Sequence, residues 1–105
     1  QAAAFSEQVS SPRIKILADL FHMSIEEVNP PVSIRENAQY LGHVHLADSN
    51  RLLPGKGHLS FKPVFDVLQS IGYAGWCSLE CISNDSGVAG LIGAREHLTN
   101  EGGVF

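Results

Sequence analysis

Gly42-His43-Val44-His45-Leu46-Ala47-Asp48-Ser49-Asn50-Arg51, running on through Pro54-Gly55-Lys56-Gly57-His58 to Phe61, is the stretch on which the fold turns. His43 to Ala47 reads as a short apolar strand with His45 near its end. A polar loop follows, carrying the cation Arg51 and a Pro-Gly-Lys-Gly turn. Ser60 then stands as a cap ahead of Phe61, Val64, Phe65, Leu68 and Ile71, which recur at helical spacing and predict a helix over 61–70 closed by Gly72. Pro63 is compatible with that helix because it falls in the first turn, where its missing donor costs nothing. A strand, a polar loop and a helix in this order form the unit of parallel α/β folds. In such folds chemistry gathers at the carboxyl ends of the strands, which is where His45 falls.

The same unit repeats on either side. Upstream, Gln1 to Gln8 reads as the tail of a helix, broken by Ser10-Ser11-Pro12. Arg13 to Asp19 alternates as a strand, with Phe21, His22 and Met23 just past its end and a loop over 24–31 that stops at Pro30-Pro31. Ser33 and Glu36 fit a capping box for a helix carrying Ile34, Ala38 and Leu41, which Gly42 would close. Downstream, Trp76 to Cys81 reads as a third strand with Glu80 near its end. Ser86 can cap a last helix through Leu98, and 100–105 reads as a loose tail. Repeated right-handed crossovers of this kind predict a three-stranded parallel sheet. Such a sheet needs cover on both faces and has two open edges, Arg13–Asp19 and Trp76–Cys81. The pattern is therefore that of an arc of something larger, with residues 1–105 as one segment.

Composition bounds the partners. The 105 residues are 44% hydrophobic and 17% charged, ordinary for a globular domain, and no run approaches a membrane span. The formal net charge of −4 argues against coating nucleic acid, which needs clustered Lys and Arg. Cys77 and Cys81 form neither a disulfide framework nor a zinc motif, and a reducing, cytoplasmic setting is expected. Their parity is opposite to that of Glu80, so they should pack against helices as small hydrophobes. Trp76 and Phe21 are expected to fill core, and Glu26-Glu27 to be a solvated pair. Gly55-Lys56-Gly57 is too short for a phosphate-binding loop, and no nucleophile–base pair stands out.

Each strand ends on a group able to bind a metal: Asp19, His45 and Glu80. Taken singly, each is equally a solvated, loop-facing side chain. Together, about one βα repeat apart and on one side of their strands, they point to a divalent-metal site of mixed carboxylate and imidazole, suited to Mn²⁺, Mg²⁺, Co²⁺ or Zn²⁺. His22, Arg51 and Lys56 would border it, as ligands of oxygen-rich groups or simply as solvated loop residues.

Four of these segments together resemble a known family. Asp19-Leu20-Phe21-His22-Met23-Ser24-Ile25-Glu26-Glu27, His43-Val44-His45-Leu46-Ala47-Asp48-Ser49-Asn50-Arg51, Pro54-Gly55-Lys56-Gly57 and Leu79-Glu80 are similar, in order and spacing, to the sugar phosphate isomerase/epimerase family. These are xylose-isomerase-like TIM barrels, and the likeness is greatest to ketose 3-epimerases of the tagatose/psicose type. The resemblance implies an α/β fold that is a partial TIM barrel: three consecutive parallel βα units, the last three of eight. It implies that Asp19, His45 and Glu80 hold a divalent metal, Mn²⁺ foremost, and that His22 and Arg51 bind oxygens of a small sugar. It also implies that Glu80 is one of two carboxylates moving a proton on the carbon beside the carbonyl, through a cis-enediolate stabilised by the metal. The second glutamate and a fourth ligand belong to earlier strands, and no residue of this sequence matches them. The chain alone is therefore not expected to run an epimerisation. Association with the rest of the barrel, or with copies of itself, is expected. Other barrels of this type (inosose dehydratase, hydroxypyruvate isomerase, abasic-site endonuclease) and a non-catalytic partial barrel working by assembly remain open as alternatives.

Overall fold

The computed structural model describes residues 1–82 and 87–104. Its elements follow one another as α1 (Ala2–Val9), β1 (Ile16–Asp19), α2 (Leu20–Glu26), α3 (Pro30–Glu36), a 3₁₀ turn (Ala38–Tyr40), β2 (Leu41–Leu46), α4 (Lys62–Ser70), β3 (Trp76–Leu79) and α5 (Gly87–Asn100). The three strands form one parallel sheet in the order β1-β2-β3. This is the expected arc of a TIM barrel.

Strand alternation sorts the side chains into two sets. In one set Ala18, Val44 and Leu46 are 5%, 0% and 1% exposed. They join Leu20, Ile34, Phe61, Val64, Phe65, Val67, Leu68 and Leu98 in a single core between sheet and helices. In the other set Leu17 pairs with His43, Asp19 with His45, His43 with Trp76 and His45 with Ser78. Paired residues in a parallel sheet share a face, so this second face collects polar groups together with Leu17, 46% exposed, and Trp76, 82% exposed. Trp76 is thus not a core residue, because its parity turns it away from the helices. Among the described residues both outer strands, β1 and β3, pair on one side only.

Several boundaries differ from the sequence pattern, each for a local reason. β1 is shorter than Arg13–Asp19, because 12–15 is spent on a turn with Ile14 N–H donating to Ser11 O. Phe21, His22 and Met23 belong to α2, which runs on through 24–26 where a loop was expected. Asp19 caps α2 by accepting from His22 N–H at 3.2 Å. Pro30-Pro31 opens α3 instead of stopping the chain, since Asn29 Oδ1 accepts from Val32 N–H and proline suits the first turn. Ser33 is consequently inside α3, and its hydroxyl donates to Glu27, which is therefore more than a solvated group. Gly42 lies in β2, where a Cβ would come within 2.6 Å of Lys15 Cβ. The third strand ends at Leu79, although Glu80 N–H still donates to Leu46 O.

The carboxyl-terminal tail is not loose. Glu101 Oε2 accepts from Ser60 Oγ and from the N–H groups of Phe61 and Lys62, capping α4 in place of Ser60. Those donors hold its carboxyl below the usual carboxylate range. Gly103 is buried, and its N–H donates to Leu98 O. The expected Ser86 cap lies outside the described residues. Among the described residues no helix is long and apolar enough to cross a membrane.

The two faces should respond differently to truncation. Leu46→Ala should cost about 2–5 kcal/mol of unfolding free energy, because it opens a cavity in a closed core. Leu17→Ala, on the open face, should change it by less than about 0.5 kcal/mol in the dissociated chain. Urea titration of the two variants measures both, and equal losses would mean that the second face is packed as tightly as the first.

Candidate functional site

The site is built at the carboxyl ends of the three strands, and one buried side chain shapes its loop. Asp48 directly follows β2 and Ala47 and is 1% exposed. Its Oδ1 accepts from Ser49 N–H at 2.7 Å and Leu59 N–H at 3.0 Å, and its Oδ2 from Gly55 N–H at 2.9 Å. A buried carboxylate without donors would be costly, so the segment from 49 to 59 folds around this one. Gly55 supplies a φ of +89° and lies against the His97 ring of α5. Gly57 has no room for a Cβ, which would collide with the Asp48 carboxylate. Burial pushes the Asp48 carboxyl up, but the N–H groups of Leu59, Ser49, Gly57 and Gly55 outweigh it and leave it below its ordinary value. No motif singled out Asp48 as the organiser. The signal available was an acidic residue followed by Ser, Gly and Gly, all able to turn N–H groups inward.

The loop delivers Arg51. Its N–H donates to Asp48 O at 2.9 Å, its carbonyl accepts from Ile82 N–H at 2.8 Å, and its φ is +63°. From there the guanidinium crosses to β1, where Nη1 donates to Asp19 Oδ1 at 2.6 Å and Oδ2 at 2.8 Å. Nη2 pairs with Glu80 Oε2. The guanidinium carbon lies 5.1 Å from the centre of the Phe21 ring, and the His22 ring meets the same phenyl edge-on at 5.1 Å. Phe21 is thus neither core filler nor bystander: it is half-buried and touches both residues that the resemblance assigned to the sugar.

Asp19, His45 and Glu80 come together. His45 Nδ1 is 3.4 Å from Asp19 Oδ2, and one ligand atom from each of the three lies within 4.8 Å of the others. Burial pushes the Asp19 carboxyl up, but Arg51's hydrogen bond and charge and the His22 N–H hold it below its ordinary value. Side-chain exposure rises from 11% at Asp19 through 22% at His45 to 50% at Glu80, so the cluster opens on Glu80's side. Atoms bound to one ion at about 2.0–2.6 Å stand roughly 3–5 Å apart, and oxygen and imidazole donors suit Mg²⁺, Mn²⁺ and Zn²⁺. The donor set therefore fits a divalent ion. Beneath it, His43 Nε2 and Ser78 Oγ are 2.7 Å apart, and the His43 ring meets His45 edge-on at 5.2 Å.

Lys56 does not join this cluster. It is exposed in the Pro-Gly-Lys-Gly turn, where its carbonyl accepts from Asn50 Nδ2. Cys77 packs against the core, and Cys81 Sγ donates to Leu46 O at 3.4 Å. Burial raises both thiols, as expected of packing cysteines and not of nucleophiles.

A sequence model described as xylose isomerase-like TIM barrel matches residues 1–102. The chain belongs to this family. Among its relatives, D-psicose 3-epimerase of Enterocloster bolteae is 39% identical over 90 residues, covering 86% of this chain and 30% of that protein. The crystal structure of apo 3-keto-D-glucoside 4-epimerase from E. coli superposes with a TM-score of 0.80 at 32% identity, covering 90% of this chain and 38% of that one. A D-psicose 3-epimerase crystallised in the presence of D-fructose gives a TM-score of 0.81 at 29% identity, covering 94% and 40%. The chain thus spans about 30% of the length of the curated relatives it matches. In this barrel family active sites sit at the carboxyl ends of the strands, where the Asp19–His45–Glu80 cluster lies.

Asp48→Asn should test the loop. It replaces one accepting oxygen by an amide facing N–H groups, so it should cost roughly 1–3 kcal/mol at pH 7. A carboxyl lowered on folding contributes stability above its unfolded pKa of about 3.9 and loses it as pH falls through the folded value. The gap between wild type and Asp48→Asn in urea midpoints should accordingly shrink below about pH 4. A pH-independent gap would remove the carboxylate's charge from the account.

Proposed function

We propose that this chain carries the metal-binding and sugar-binding rim of a divalent-metal-dependent ketose epimerase or isomerase. The observation that carries the reading is the convergence of Asp19, His45 and Glu80 within 4.8 Å at the ends of three adjacent parallel strands. Asp19, His45 and Glu80 would hold the ion, with Mn²⁺ preferred and Mg²⁺, Co²⁺ or Zn²⁺ possible occupants. When bound, it would polarise the carbonyl and neighbouring hydroxyl of the sugar, which lowers the cost of charge developing on those oxygens.

The chain's own residues would do the rest. Glu80, the most exposed of the three, would take or return the proton on the carbon beside the carbonyl. Loss of that proton gives a planar cis-enediolate, and return from the opposite face inverts the carbon. The opposite face requires a second carboxylate, which the resemblance assigns to an earlier strand of the barrel. His22 and Arg51, both against Phe21, would donate to the sugar's oxygens and fix the reacting carbon over Glu80. Support for a sugar substrate comes from epimerases at 39% and 32% identity.

An endonuclease of the same family is less well supported, since phosphate contacts favour a basic surface and this chain has a net charge of −4. A partial barrel working by assembly is favoured by one feature, the open face bearing Leu17 and Trp76 between two unpaired edges. The two readings are compatible, because a completed barrel would cover that face. At micromolar concentration the 105-residue chain should sediment as an oligomer or melt at a concentration-dependent temperature. A monodisperse, concentration-independent monomer would count against assembly.

Calorimetric titration with Mn²⁺ tests the metal centre. Glu80→Gln should weaken binding by about tenfold or more, since it removes one charged ligand. An unchanged isotherm would take Glu80 out of the ligand set.

A further inference from the structure

Asp19 has two carboxylate oxygens, and Arg51 Nη1 uses both of them, at 2.6 and 2.8 Å. Nη2 of the same guanidinium is paired with Glu80. These are two of the three residues whose ligand atoms lie within 4.8 Å of one another. A guanidinium in this position and a divalent ion held by the same oxygens compete for the same lone pairs, and they repel each other at short range. The Arg51 backbone gives little freedom to relieve this, because its N–H is tied to Asp48 and its carbonyl to Ile82. Any adjustment therefore falls to the side chain, and the face of Phe21, 5.1 Å from the guanidinium carbon, offers a surface along which a cation keeps a favourable partner. The more exposed His22 meets the same ring edge-on.

Resting on the reading of Asp19, His45 and Glu80 as a metal centre, we propose that Arg51 is a resident competitor cation, which a divalent ion displaces from Asp19 and Glu80 along the face of Phe21. Without the ion, Arg51 neutralises two carboxylates that would otherwise repel. With the ion, its five N–H donors are released towards the side where His22 stands, and they become available to a sugar's oxygens. The ion and the sugar are thus ordered: Arg51 is free for the sugar only after the carboxylates have changed partner.

The test is Mn²⁺ titration by calorimetry, with melting curves, on the wild-type chain, Arg51→Ala and Arg51→Gln. Both variants should bind Mn²⁺ at least about tenfold more tightly than wild type, because a positive competitor is gone. Both should melt lower in metal-free buffer and gain more from added metal. Arg51→Gln keeps much of the side-chain length and covers the case in which Arg51→Ala fails to fold. A readout without substitution is the ¹⁵N signal of the Arg51 guanidinium, which should shift on titration with diamagnetic Mg²⁺ or Zn²⁺. Binding by wild type with equal or weaker binding by the neutral variants, or an unmoved guanidinium signal at saturation, would overturn the competitor role and leave the metal centre standing. No binding by any of the three proteins would overturn the metal reading, and the competitor role with it.

Discussion

The buried carboxylate of Asp48 is the constraint from which the functional end of this molecule follows. A carboxylate at 1% exposure must be surrounded by donors, and backbone N–H groups supply them here. Gathering them from Ser49, Gly55 and Leu59 draws eleven residues into a tight loop. That loop sets the backbone of Arg51, delivers Phe61 to the start of α4, and presents Gly55 to His97 of α5. One side chain thereby couples the loop's shape to the core, because Phe61 is 1% exposed and packs with Phe65 and His97.

Arg51 carries this constraint into the site. Its charge meets two acidic residues from different strands, and its guanidinium rests on a phenyl ring from α2. Four elements therefore share a single cation: β1 through Asp19, α2 through Phe21, the loop after β2 through Arg51 itself, and the end of β3 through Glu80. Charge and hydrogen bonding set the site's geometry, while the packed side of the sheet keeps the strand ends in register.

The sheet's two faces explain why the fold is an arc. Against the helices, Val44 and Leu46 are fully buried, and each such side chain contributes about 1.5–3 kcal/mol. The opposite face carries His43, His45, Ser78 and the exposed Trp76, a mixture suited to the interior of a barrel near its mouth. The structures it matches are about two and a half times as long, in keeping with a segment of that barrel.

The amino-acid sequence by itself determined the strand order, the parallel crossovers and the Asp19–His45–Glu80 set. These depend on period-two alternation, on one-repeat spacing and on motifs local to each βα unit, all of which are written in consecutive residues. Helix boundaries were less legible where two signals competed. Asn29 with Pro30-Pro31 started α3 where proline alone suggested a stop, and Glu101, forty residues away from Phe61 in the chain, took the capping role expected of Ser60. Only the tertiary structure decided that Trp76 faces away from the helices, that Phe21 lies against Arg51 and His22, that Asp48 organises the loop and that Arg51 bridges the two carboxylates. These depend on contacts between residues distant in the chain, on which face of the sheet is covered, or, for Asp48, on how the loop closes around a buried carboxylate. Local propensity has no term for any of them, because donors and neighbours are supplied only when the strands come together.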